Sequence, residues 1–133
     1  MAIDFTLTAE LEELRMRIRT FVDDVIKPEE ARLEGHAGEP ALEGRERRDA
    51  LVGLRKQAHA EGIWLPHMPT EWGGMGLGHV ELAMVQAEAA KSRYGPWVFN
   101  CQAPDEGNMH TLLHWGTDEQ KEEFLVPAIT GEK

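Results

Sequence analysis

Two histidines four residues apart, His110 and His114, would share one face of a helix, the separation at which paired imidazoles can hold zinc. A metal needs further ligands. Neither the glutamate of a metalloprotease motif nor a second cysteine accompanies the pair, so the expected role is packing or surface, with no metal. Cys101 is the only cysteine and is followed by Gln102, with no neighbour in sequence that would activate a thiolate. It reads as a buried, inert thiol. A third candidate is the run of four glycines, Gly73, Gly74, Gly76 and Gly78, which could cradle a phosphate at a helix N-terminus. Dinucleotide and nucleotide motifs place such glycines after a strand, with a Gly-Lys-Ser/Thr or a downstream acid, and neither is present. A tight structural turn, packed onto helices by Trp72, Met75 and Leu77, is the expected outcome. Taken as residues, the chain holds no self-contained catalytic constellation.

The elements that would position these groups are helical. Residues 65–78 contain four glycines and two prolines and cannot continue a helix, where glycine costs about 1 kcal/mol and proline about 3 kcal/mol per interior position. Before that turn, a first helix is expected over residues 8–26, with Thr8 as N-cap, acids in the first turn and an apolar stripe of Leu11, Leu14, Ile18, Phe21, Val22, Val25 and Ile26. Lys27-Pro28 should stop it. Residues 33–44 are too broken for either periodicity and read as a surface loop. A second helix over 45–61 turns Leu51, Leu54 and Ala58 inward. Gly62 then serves as a left-handed terminator, and Ile63 folds back on the last turn.

A third helix over 79–92 carries Ala83, Ala87 and Ala90 at helical spacing, suited to close backbone approach and a central position. A fourth covers 105–115. A fifth opens at once with Thr117-Asp118-Glu119-Gln120, a capping box, and is limited by Pro127. Trp64, Trp72, Trp97 and Trp115 all flank helix ends, where a ring can seal the edge of a core. The expected class is therefore all-α, an orthogonal bundle of about five helices.

Composition narrows the partners. A formal net charge of −10, from 24 acidic and 14 basic residues, repels polyanions, and Arg45, Arg47 and Arg48 are diluted by Glu46 and Asp49, so no nucleic-acid partner is expected. No apolar run approaches the roughly 20 residues that span a bilayer. The first residues lack the basic start and apolar core of a signal peptide, and the expected location is cytoplasmic.

Three features stand in order: the apolar first helix, the Pro-Thr-Glu-Trp-Gly-Gly-Met-Gly-Leu-Gly turn, and the Gly-Thr-Asp-Glu-Gln-Lys-Glu-Glu-Phe-Leu-Val-Pro run. Together they resemble the N-terminal helical domain of the acyl-CoA dehydrogenases across nearly the whole chain, residues 1–133. Residues 100–109 look most like the long-chain subgroup related to members fused to a kinase-like domain.

That resemblance implies a FAD enzyme that oxidises acyl-CoA thioesters to trans-2-enoyl-CoA. A glutamate takes the α-proton and the β-hydrogen leaves as hydride. The catalytic glutamate and most of the flavin site lie in a middle β-domain and a C-terminal helical domain that this chain does not contain. The resemblance further implies that this domain walls the acyl pocket through Phe99, Asn100, Gln102, Ala103, Gly107 and Asn108, lining and shaping rather than moving protons. An electron-transfer flavoprotein as electron acceptor and a homo-oligomeric full-length enzyme follow from the same likeness. Flavin oxidases and monooxygenases share the fold, and a stand-alone helical interaction module is the reading from another class.

Overall fold

A computed structural model describes residues 6–132. Every regular element among them is helical: α1 (Ala9–Phe21), α2 (Lys27–Glu34), α3 (Gly44–Ala60), α4 (His79–Ala89), α5 (Gly95–Val98), α6 (Asp105–Trp115), α7 (Asp118–Gln120) and α8 (Val126–Thr130). No strand occurs among the described residues.

The ends of these helices follow their capping chemistry. Thr8 is extended and its side chain accepts from Leu11 N–H, satisfying one of the orphan donors of the first turn. Thr117 and Gln120 form the reciprocal capping box. At the end of α3, Gly62 has φ +68°, its N–H bonds His59 O at 3.1 Å, and Ile63 N–H bonds Ala58 O at 3.1 Å. This is a Schellman closure, and it carries the Ile63 side chain into the core.

Two prolines behave differently from expectation. Pro28 does not stop the first helix. A π-turn, Val22–Ile26, with Lys27 N–H bonded to Val22 O, joins α1 to α2, so the helical path runs from Ala9 to Glu34. The same device recurs at Lys121–Leu125, where Val126 N–H bonds Lys121 O and the helix continues through Pro127 to Thr130. A proline ring inside an α-helix clashes with the carbonyl four residues back and lacks a donor. A wider turn just ahead of it relieves the clash, and the proline then occupies the opening of the next α-segment, where its missing N–H costs nothing extra.

The main core gathers Ile18, Phe21, Val22, Ile26 and Leu33 from the long first helical path, Leu54 and Ala58 from α3, Val85 and Ala89 from α4, and Val98 and Phe99 from the end of α5. Full burial of such side chains contributes about 1.5–3 kcal/mol each. A second cluster, Trp64, Leu65, Met68, Met109 and Leu125, ties the glycine-rich turn to α6 and the C-terminal helices.

α4 packs chiefly on α1 and turns Val85, Glu88 and Ala89 inward. Ala83, Ala87 and Ala90 are exposed, so the small-residue stripe is not a helix contact among the described residues, and α4 joins the core through its opposite face. The irregular surface segment spans residues 35–43, shorter than the expected 33–44: Leu33 and Glu34 close α2, with Leu33 buried in the core, Gly44 opens α3, and half-buried Leu42 anchors the segment. Trp64 closes a core edge and its indole donates to Ile129 O at 2.8 Å. Trp115 does not: it is 86% exposed.

Candidate functional site

The polar interior of the domain is organised around the segment between α5 and α6. Asn100 is buried and has φ +54°, a left-handed conformation that asparagine tolerates better than most residues. Its Oδ1 accepts from Arg55 Nη2 at 3.1 Å and its Nδ2 donates to Ala128 O at 3.1 Å. A guanidinium can only donate and a carbonyl only accept, so the two contacts fix the orientation of the amide. One side chain thereby joins α3, the α5–α6 segment and α8.

Arg55 is held in turn by its Nε donating to Trp97 O at 3.2 Å. Its guanidinium lies 4.0 Å from the Trp97 ring centroid and 5.3 Å from that of Trp64.

The backbone carbonyl of Asn100 accepts from His67 Nε2 at 2.9 Å, which leaves His67 Nδ1 bare. That nitrogen accepts from His110 Nε2 at 3.1 Å, and His110 stacks on His114. Burial pushes the His67 imidazole below its usual value, and the nearby His110 adds to the shift, against the opposing pull of the Asn100 carbonyl and Glu106. His67 is therefore held neutral. Glu106, one turn before His110 on α6, accepts from Gln86 Nε2 at 3.0 Å. The donor atoms of His67, Glu106 and His110 lie within 4.8 Å of one another.

The glycine-rich turn is tied together by its own backbone. Its amides are spent internally: Gly73 N–H on Thr70 O, Gly74 on Pro69 O, Met75 on Leu65 O and Gly76 on Met68 O, at 2.9–3.1 Å. A Cβ at Gly74 would sit 2.1 Å from Met68 O, so glycine is required there by backbone packing alone. The amides of residues 73–76 are therefore taken up within the turn itself. Cys101 is buried and its thiol is pushed up to about 12 by burial and by Glu106, which makes it inert.

The expected pocket residues separate into two groups. Phe99 is fully buried, its ring 5.7 Å from that of Phe21, and Asn100 is 2% exposed, so both act from inside the domain. Gln102 is half-buried, while Ala103, Gly107 and Asn108 are exposed. Ala103 precedes Pro104, the N-cap of α6, so it lies on the entry to the helix rather than on its first turn. Asn100 and Asn108 meet in a cleft of about 350 Å³ with Arg55, Trp97, Met109, Leu112 and Phe124. Sequence reasoning missed Arg55, His67, Gln86 and Glu106. The four-residue spacing of Glu106 and His110 was readable, whereas His67 sits in an irregular turn whose path no periodicity reports.

These features define an all-helical domain built around a buried polar hub. The model of the acyl-CoA dehydrogenase N-terminal domain matches residues 8–132. The chain belongs to the acyl-CoA dehydrogenase family and corresponds to that domain. Acyl-CoA dehydrogenase family member 11 of Gallus gallus is 34% identical over 122 residues, covering 90% of this chain and 15% of that protein. The Homo sapiens family member 11 is 32% identical over 129 residues, covering 96% of this chain and 16% of its own length. Family member 10 of Mus musculus is 32% identical over 130 residues, covering 94% and 12% respectively. A solved structure from Mycobacterium abscessus, itself assigned to the acyl-CoA dehydrogenases, superposes with a TM-score of 0.80 at 34% identity, covering 96% of this chain and 33% of that one. The chain thus spans a small fraction of each relative's length.

Proposed function

We propose that this domain forms one wall of the acyl pocket of a FAD-dependent acyl-CoA dehydrogenase, which carries out α,β-dehydrogenation of acyl-CoA thioesters. The catalytic glutamate and the flavin site belong to other domains of the enzyme. The family match over residues 8–132 carries this reading. The exposed positions Ala103, Gly107 and Asn108 form the surface offered to the acyl chain, and buried Phe99 and Asn100, with Gln102, hold the segment behind it. Electrons pass to an electron-transfer flavoprotein, and the full-length enzyme is a cytoplasmic homo-oligomer. Trp115 and Phe124, 86% and 51% exposed, supply apolar surface for the remainder of the enzyme.

Chain-length selectivity tests the wall. A Cβ added at Gly107 meets nothing within 4 Å, so a larger side chain is accommodated by the domain itself. Leucine is also the better helix former by about 0.8 kcal/mol. Ala103→Leu and Gly107→Leu in the full-length enzyme should lower kcat/KM on long acyl-CoA far more than on short acyl-CoA, since each buried methylene of substrate is worth about 0.8 kcal/mol. Equal losses at every chain length would remove these residues from the pocket. The 133-residue chain expressed alone should be colourless and inactive on acyl-CoA; stoichiometric FAD copurifying with it would overturn the assignment of the flavin to other domains.

A further inference from the structure

We propose that His67, Glu106 and His110 form a site for a borderline divalent transition-metal ion of the zinc class, bound through His67 Nδ1, His110 Nε2 and one Glu106 carboxylate oxygen. The three donor atoms lie within 4.8 Å of one another and come from two separate elements, the 65–78 turn and α6. Two imidazoles and a carboxylate are a donor set that zinc accepts readily. The two nitrogens are 3.1 Å apart. Two ligands at the usual zinc–nitrogen length of 2.0–2.1 Å on adjacent corners of a tetrahedron stand about 3.3 Å apart, so the pair is almost in register for a shared ion.

The surrounding groups prepare the ligands. The Asn100 carbonyl takes the Nε2 proton of His67 at 2.9 Å and turns the bare Nδ1 lone pair toward the cluster, the arrangement in which an outer carbonyl fixes the tautomer of a ligating histidine. Gln86 fixes the Glu106 carboxylate at 3.0 Å. The only exchange on binding is at His110. His110 releases the proton that bridges its Nε2 to His67 Nδ1 to solvent and takes one up at its Nδ1, so the ring stays neutral and the ion takes the place between the two nitrogens. Glu106 and His110 are half-buried rather than enclosed, which leaves a fourth position for water. Such an ion would clamp the glycine-rich turn to the start of α6 and so rigidify the segment that runs from Asn100 to Asn108.

Titration of the full-length protein, stripped with chelator, tests the site with Zn²⁺ and with Co²⁺ as a spectroscopic probe. Wild type is expected to bind one ion per chain in the micromolar range or tighter. Co²⁺ should develop the intense visible absorption of a four-coordinate centre, and Zn²⁺ should bleach it. Glu106→Gln and His110→Gln should each weaken binding at least tenfold and abolish the absorption band, while circular dichroism reports an intact fold. His114→Ala, which removes an exposed neighbour, should leave both readouts unchanged. Absence of micromolar binding in wild type, or binding unaltered in Glu106→Gln, would overturn the site. Loss in His114→Ala with retention in Glu106→Gln would transfer the ion to a simple histidine pair on α6 and would also overturn it.

Discussion

Two buried polar nodes, one at Glu88 and one at His67, keep their charge states by opposite means. Glu88 of α4 is 5% exposed and receives Arg15 at 3.1 Å, Arg19 at 2.9 Å and Lys91 at 2.6 Å. Burial alone would raise its carboxyl, but the hydrogen bonds from Arg19, Lys91 and Arg15 outweigh that penalty and hold it at about 2. His67, 6% exposed, has only the nearby Glu106 to favour its charged form, and desolvation outweighs that attraction. Burial lowers it, and hydrogen bonds to Asn100 and His110 satisfy both ring nitrogens of the neutral form. The first node is an ionic rivet between α1 and α4. The second is a neutral hydrogen-bond chain at the segment that carries the proposed pocket residues.

The largest effect expected from breaking this contrast is at the ionic node. Glu88→Ala strands three cations, and loss of one partner of a buried ion pair costs about 3–5 kcal/mol, reduced here because the arginines and Lys91 are themselves partly exposed. A loss of about 2–3 kcal/mol in urea unfolding is expected, whereas a change below about 0.5 kcal/mol, typical of surface substitutions, would make the cluster a surface ornament.

A smaller loss is expected at the hub of the neutral node. Asn100→Ala removes the bonds to Arg55 and Ala128 and puts a Cβ-bearing residue without a local hydrogen bond at φ +54°. Asn100→Gly removes the same bonds but relieves the backbone. Alanine should therefore be the worse substitution by about 1 kcal/mol, and equal losses would show that backbone conformation contributes nothing there.

The smallest effect, and the sharpest discriminator, is the pH profile. Glu88 has a folded value of about 2 against an ordinary 4.5, so its stabilisation is complete above 4.5 and is lost as pH falls from there through 2. His67 is lowered from 6.5, so the unfolded chain binds its proton first and stability begins to decline as pH falls below 6.5. Acid unfolding of wild type should show both windows. His67→Gln should remove the upper decline and leave the lower one, and loss of the lower one in that variant would mean that the two nodes are not independent.

Much of the fold was legible in the residues because it rests on local chemistry. Thr8, the Thr117–Gln120 box, and Gly62 with Ile63 all follow from hydrogen-bond groups within a few positions of one another. The apolar stripe from Leu11 to Ile26 follows from helical spacing. The site was less legible. Asn100 was named as a pocket residue for its place near α6, but its burial, its left-handed backbone and its hold on Arg55 and Ala128 bring together residues up to 45 positions apart. His110 was paired with His114 because spacing reports only neighbours on one helix, whereas its hydrogen-bond partner is His67, 43 positions away.

By itself, then, the sequence determined that the chain is helical, where most of its helices begin and end, and to which family it belongs, since capping, periodicity and punctuation act over single turns. Tertiary structure decided the rest. It carried two helices through prolines by inserting π-turns, left Ala83, Ala87 and Trp115 facing solvent, and buried Glu88 among cations and His67 among neutral partners. The physical reason is that the cost of burying a polar group depends on what else is brought to it from distant parts of the chain, and no local pattern encodes that.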